Sequence, residues 1–214
     1  MMLATCLGFI SGCASVSVEN EQKLYGQGGE VKPEVIYVMP FATNGEFNVD
    51  REGVELIEFK RNLQEMMMVA LQERFPKHLV TTTTAQNFSQ IPHGKHWVVA
   101  GRFTLVNQGS RALRAVVGFG AGGTKVETEV YVYDAAIDRR GPFMRFQTTG
   151  GSGAQPGAVT SLNPVGAAVS AVGGAAKGLS EDVVRTSRMI TATLSEYMFK
   201  RGWIPESQRL EAKR

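Results

Sequence analysis

Thr124-Lys125-Val126-Glu127-Thr128-Glu129-Val130-Tyr131-Val132-Tyr133-Asp134 alternates with period two. Val126, Thr128, Val130 and Val132 fall on one side, and Lys125, Glu127, Glu129, Tyr131 and Tyr133 on the other. That pattern predicts a strand with one buried and one solvated face, the signature of an antiparallel sheet that needs a covering layer on one side only.

Working outward, Trp97 to Val106 repeats the pattern, with Trp97, Val99, Phe103 and Leu105 facing one way and Arg102 and Thr104 the other. Arg111 to Val117 is a further strand candidate, and Phe143 to Thr149 is expected to return as a hairpin through Ala135 to Gly141. Val35 to Phe41, closed by Pro40, reads as a short buried strand.

The covering layer comes from two amphipathic helices. Leu56, Phe59, Leu63, Met66, Met67, Ala70, Leu71 and Phe75 recur at helical spacing, with Pro76 as the expected stop. Val183, Val184, Met189, Ile190, Leu194, Tyr197 and Met198 mark a second helix over Glu181 to Arg201, with Ser180 as N-cap, Glu181 and Asp182 at its positive end, and Gly202 as terminator. The fold class expected is α+β, an antiparallel sheet with two amphipathic helices packed on one face. The Met66-Met67-Met68 cluster is read as core filler.

The N-terminus carries a different signal. Leu3 to Ile10 is a mostly apolar run far shorter than the roughly 20 residues that span a bilayer, and it fits the hydrophobic part of a signal peptide. Ile10-Ser11-Gly12-Cys13 follows, and it resembles the bacterial lipobox, in which small residues precede the cysteine that is acylated and becomes the first of the mature chain. Cys13 is then the lipidation site, and Ala14 after it implies outer-membrane sorting with the domain facing the periplasm. No Lys or Arg precedes the apolar run, a departure from the usual basic start. The expected division is residues 1–12 signal peptide, 13–32 a lipidated tether, 33–204 a single domain and 205–214 a loose charged tail.

The only two cysteines, Cys6 and Cys13, lie outside any expected core, so no structural disulfide is predicted. Over 214 residues the net charge is +3, too small a bias to imply nucleic-acid binding. The charge is segregated, however. Glu19 to Glu73 holds eleven acids and five basic residues, a net of −6, whereas Arg74 to Val126 holds seven basic residues and no acid, a net of +7. Arg102, Arg111, Arg114 and Lys125 form a candidate face for anionic lipid or an acidic envelope protein; the alternative is that these charges neutralise the acidic helix at Glu52, Glu55, Glu58 and Glu65.

Two glycine patterns invite a function. Gly118-Phe119-Gly120-Ala121-Gly122-Gly123 satisfies the spacing of a dinucleotide fingerprint, but a strand pattern follows it, so no helix N-terminus receives a phosphate, and a glycine-rich strand connection is expected instead. Gly166, Ser170, Gly174 and Gly178 place small residues at every fourth position, a helix-packing stripe. Across segment 165–178 it suits either oligomerisation or membrane insertion, as in a secretion-channel or scaffold subunit, or else a helix lying tightly on the sheet, or a flexible loop. Segment 150–157 is read as a glycine-rich loop.

Gly109-Ser110-Arg111-Ala112-Leu113-Arg114, Gly118-Phe119-Gly120-Ala121-Gly122 and Val130-Tyr131-Val132-Tyr133-Asp134 together resemble an uncharacterised bacterial lipoprotein family classed as a domain of unknown function, over Pro33 to Ile204. That resemblance implies no activity. Val35-Ile36-Tyr37-Val38-Met39-Pro40-Phe41 is similar to the first strand of the amino-terminal domain of the Tol-system translocation protein and of the curli secretion subunit, which implies a role in envelope assembly.

His78, His93 and His96 are the only histidines, and His93-x-x-His96 has no carboxylate or cysteine beside it, so no metal site, no cofactor and no catalytic constellation are expected. The sequence therefore points to a lipid-anchored, non-enzymatic accessory or binding module, with the oligomeric subunit as its alternative.

Overall fold

The computed structural model describes residues 15–24, 28–109, 123–137, 141–151 and 174–212. Its elements run β1 (Ser15–Lys23), β2 (Val35–Val38), β3 (Glu46–Asn48), α1 (Gly53–His78), β4 (Thr81–Thr84), β5 (His96–Asn107), β6 (Lys125–Asp134), β7 (Met144–Gly151) and α2 (Gly174–Lys200). Together they make an α+β fold whose sheet has the order β1-β7-β6-β5-β2-β4, with β3 paired to the far end of β5.

The quoted stretch is β6 at the centre of an antiparallel run from β5 to β1, and β6 and β7 form the expected hairpin. The rest of the sheet departs from expectation. β2 pairs parallel to both β4 and β5, and β3 parallel to β5, so the sheet is mixed, though mostly antiparallel. The cause is the connection: α1 lies between β2 and β4 in sequence, and a helical crossover returns the chain in the same direction, as a hairpin cannot.

Both helices cover one face, packing against each other as well as on the sheet. A single core joins Leu63, Met67, Leu71 and Phe75 of α1, Ile190, Leu194 and Met198 of α2, and Trp97, Val99, Phe103, Val130, Val132 and Phe146 of the strands. α2 also carries buried hydroxyls on this face. Thr191 donates to Ser187 O at 2.7 Å and Thr193 to Met189 O at 3.0 Å, which offsets their desolvation, whereas Thr186 Oγ1 is buried without a hydrogen-bond partner. In the sheet beneath, Thr128 and Thr148 pair their hydroxyls at 2.7 Å across β6 and β7.

Several boundaries differ from the sequence reading, each for a local reason. The stretch from 15, assigned to the tether, forms β1 and adds to the edge of β7, burying Val16 and Val18. Leu105 does not face the core: a register shift between Phe103 and Leu105 passes the buried position to Val106. Pro76 does not stop α1, which runs to His78, because a proline in the last turn forfeits one bond while Leu79 N–H still closes on Phe75 O at 2.7 Å.

Ser180 is not an N-cap and Glu181 and Asp182 are not in the first turn, since α2 begins at Gly174; Ala175, Ala176 and Lys177 are good helix formers and carry the helix back past Ser180. Gly150 and Gly151, assigned to a loop, complete β7 against Ser15 and Val16. At the other end of α2, Gly202 does terminate it, at φ +71°, with its N–H on Phe199 O at 2.8 Å and Trp203 N–H on Met198 O at 3.0 Å.

The expected loose tail is docked instead. Leu210 N–H donates to Ser195 Oγ at 2.9 Å, Ala212 N–H to Glu196 Oε1 at 2.8 Å, and Leu210 and Ala212 pack against the core. The apolar residues among the charges of 205–214 account for this, because α2 presents a buried surface along most of its second half.

Candidate functional site

The sheet face away from the helices carries the polar side of β5, β6 and β7. Register sets Arg102 opposite Glu129 and Glu129 opposite Gln147, with Arg145 opposite Tyr131. Three of these side chains converge on the carboxylate of Glu129. Arg102 Nε donates to Glu129 Oε2 at 2.7 Å, Arg145 Nε to Oε1 at 2.6 Å, and the Tyr131 hydroxyl to Oε2 at 2.5 Å.

Glu129 is fully covered, yet it is covered by its own partners: the two arginines remain 45% and 44% exposed. Burial pushes the Glu129 carboxyl upward, but the hydrogen bonds from Tyr131, Arg145 and Arg102 outweigh it and hold the group below the usual carboxylate range. Burial, then the neighbouring carboxylate, pushes the Tyr131 hydroxyl up. The cluster therefore holds an ionised Glu129 with filled acceptors, an unsuitable acid or base, flanked by two half-exposed guanidinium groups that leave one net positive charge.

Lys125, also on this face, pairs with Glu127 at 2.6 Å. Of the candidate basic face, then, Arg102 and Lys125 are bonded to carboxylates of their own sheet, not to the acids of α1. Arg111 and Arg114 lie outside the described residues, as do Cys13, Gly166, Ser170 and Gly118 to Gly122. Gly174 and Gly178 lie within α2, and Gly123 is followed by strand β6, as the reading of the glycine fingerprint required.

Further along the same face, the short 3-10 turn Phe88–Gln90 covers the sheet, with Phe88 edge-on to Tyr133 at 5.0 Å. His96 stands edge-on to Tyr37 at 5.5 Å, where it packs as an aromatic. Among the described residues no group of three or more metal-ligating side chains occurs. The sequence pattern identified Arg102, Glu129 and Tyr131 as polar-side residues but missed Arg145 and the convergence on Glu129, for which only the strand register carries the signal.

Fold and face together define a helix-backed domain on a mixed sheet whose open side is a charge-paired surface. The chain belongs to the family described as domain of unknown function (DUF4410), which matches residues 36–169 and so spans β2 to β7. No curated protein matches it. Among solved structures it is similar to the PelC dodecamer from Paraburkholderia phytofirmans, with 9% identity, a TM-score of 0.39, and coverage of 80% of this chain and 97% of that one. A point variant of that dodecamer gives 10% identity, a TM-score of 0.37, and 81% and 97% coverage. No described helix is long and apolar enough to cross a membrane.

Proposed function

We propose that this is a lipid-anchored envelope protein facing the periplasm from the outer membrane, acting as a non-enzymatic accessory or binding module in envelope assembly or transport. The observation that carries the reading is the lipobox-like Ile10-Ser11-Gly12-Cys13, whose cysteine lies two positions before Ser15, the first residue of β1. Two or three acyl chains on Cys13 give stable attachment where a single chain does not. The filled acceptors of Glu129 support a surface that binds in preference to one that catalyses.

Mass spectrometry of the mature protein should show a diacylglyceryl group on Cys13, and Cys13→Ala should move the protein out of the membrane fraction or stall its processing. An unmodified Cys13 overturns the anchor. Pull-down of the acylated protein from membranes then identifies what the domain binds.

The alternative reading, an oligomeric channel or scaffold subunit, is favoured by one feature: the sheet ends on β1 and β4, both unpaired on their outer sides among the described residues. Unprotected edges are templates for strand addition between copies. A monomer by light scattering at micromolar concentration rules that reading out.

A further inference from the structure

The strand register aligns Ser15 with Gly151, Gly151 with Lys125, Lys125 with Asn107 and Asn107 with Asn48, one row across the sheet. Gln108 continues that row, its N–H on Asn48 O at 3.0 Å and its side-chain oxygen accepting from Arg51 Nη1 at 2.9 Å. The first residue of β1 and the first turn of α1 therefore share one end of the domain. At that end Val54 and Ile57 are 70% and 68% exposed, the most exposed large apolar side chains among the described residues. Three apart, they sit side by side on the helix surface.

We propose that this end of the domain lies on the bilayer, with Val54 and Ile57 resting in the headgroup layer. The inference rests on acylation of Cys13. At about 3.3 Å per extended residue, Cys13 reaches no more than roughly 7 Å from Ser15, so its acyl chains hold the Ser15 end at the membrane surface.

The apolar pair, not charge, makes the contact. Asp50, Glu52, Glu55 and Glu58 lie near it in sequence together with Arg51, Lys60 and Arg61, and two of these cations are already placed over rings, Arg51 on Phe59 at 4.6 Å and Lys60 on Phe47 at 4.4 Å. With four acids against three bases, anionic headgroups gain nothing from this surface.

The test uses the full, acylated chain in vesicles of phosphatidylethanolamine and phosphatidylglycerol. A polarity-sensitive dye is placed at Ile57→Cys, or at Lys95→Cys at the opposite end of β5. Cys6 leaves with the signal segment and Cys13 is blocked by its lipid, so the introduced thiol is the one labelled. A quencher carried on lipid headgroups should quench the dye at 57 at least about three-fold more than at 95, as for side chains held at the interface. Replacing phosphatidylglycerol by phosphatidylcholine should leave that ratio unchanged.

Equal quenching at the two positions, in protein that carries the lipid and floats with the vesicles, overturns the orientation while the anchor stands. Shielding of position 57 from an aqueous quencher with no quenching from the lipid side shows a protein contact, such as a second copy, and also overturns it. Unmodified Cys13 in protein that stays out of the vesicle fraction removes the anchor, and the orientation with it.

Discussion

Arg102 on β5 and Glu129 on β6 are joined by a 2.7 Å Nε to Oε2 hydrogen bond across 27 positions of sequence, and Arg145 closes on the other carboxylate oxygen from β7. One ionised side chain thus ties three strands together on a face that the helices leave open. The same bonds draw the basic residues of that face into the protein's own surface.

Glu129 makes stability depend on pH with a definite sign. Its folded carboxyl titrates below the ordinary value, so its contribution is complete above the unfolded pKa of about 4.3 and is lost as pH falls through the lower folded value. Glu129→Gln should cost about 1–2 kcal/mol near neutral pH, because the arginines lose a charged acceptor but can turn to water. Urea midpoints of wild type and variant should differ near neutrality and converge as the pH falls toward about 3; an equal gap at both pH values would contradict the assignment.

Gly101 is a packing position. A Cβ there would stand 2.5 Å from Phe41 Cε1 and 2.7 Å from Glu129 O, the second a backbone atom that cannot turn aside. Gly101→Ala should lower stability by about 1–3 kcal/mol, seen as a fall in Tm with the circular dichroism of the folded state retained. An unchanged Tm would mean that β5 and β6 separate more easily than their register implies.

One hydroxyl anchors the docked tail at its midpoint. Ser195 Oγ accepts from Leu210 N–H at 2.9 Å, and Ser195→Ala leaves that donor without its partner. The expected cost is about 1 kcal/mol, with faster proteolytic removal of residues after Ile204 as the sharper readout. Equal cleavage rates would show that the Ala212 bond to Glu196 and apolar packing hold the tail without Ser195.

Gly202 supplies a left-handed position at the end of α2, and open space surrounds it, so backbone conformation alone decides its substitution. Gly202→Ala should destabilise by about 1 kcal/mol, and Gly202→Asn by less, since asparagine tolerates this region better. Thermal melts of the three proteins test the order; alanine matching glycine would remove the argument.

The glycine fingerprint gives a binding prediction. Because β6 follows Gly123, purified protein should show no saturable heat with NAD or ATP in a calorimetric titration. Binding that disappears in Gly120→Val would reverse that reading.

The parts of the fold visible in the sequence are those whose signal is local. β6, the hairpin with β7, and both helices follow from periodicities contained within a single element. β4 was not visible: Thr81 to Thr84 has no alternation of apolar and polar residues, and its pairing partner β2 lies across a 26-residue helix. β1 was hidden for a related reason, because Ser15 to Lys23 reads as polar and shows its two buried valines only beside β7. The bulge after Phe103 broke an alternation that the sequence seemed to continue. For the charged cluster, each residue's side of its strand was legible but the meeting of Arg102, Arg145 and Tyr131 on Glu129 was not, since it depends on how three strands slide past one another.

The pairing of β1 with β7 also orders events in time. Ser17 and Thr149 meet across 132 positions, so in a chain delivered from its N-terminus β1 waits for nearly everything else before it finds its partner. Loop-closure entropy makes such distant pairing late and slow. Because β1 is paired only with β7 among the described residues, β7 has to be in place before β1 can add to it, and Ser15 takes its position in the sheet after the chain has been delivered as far as Gly151.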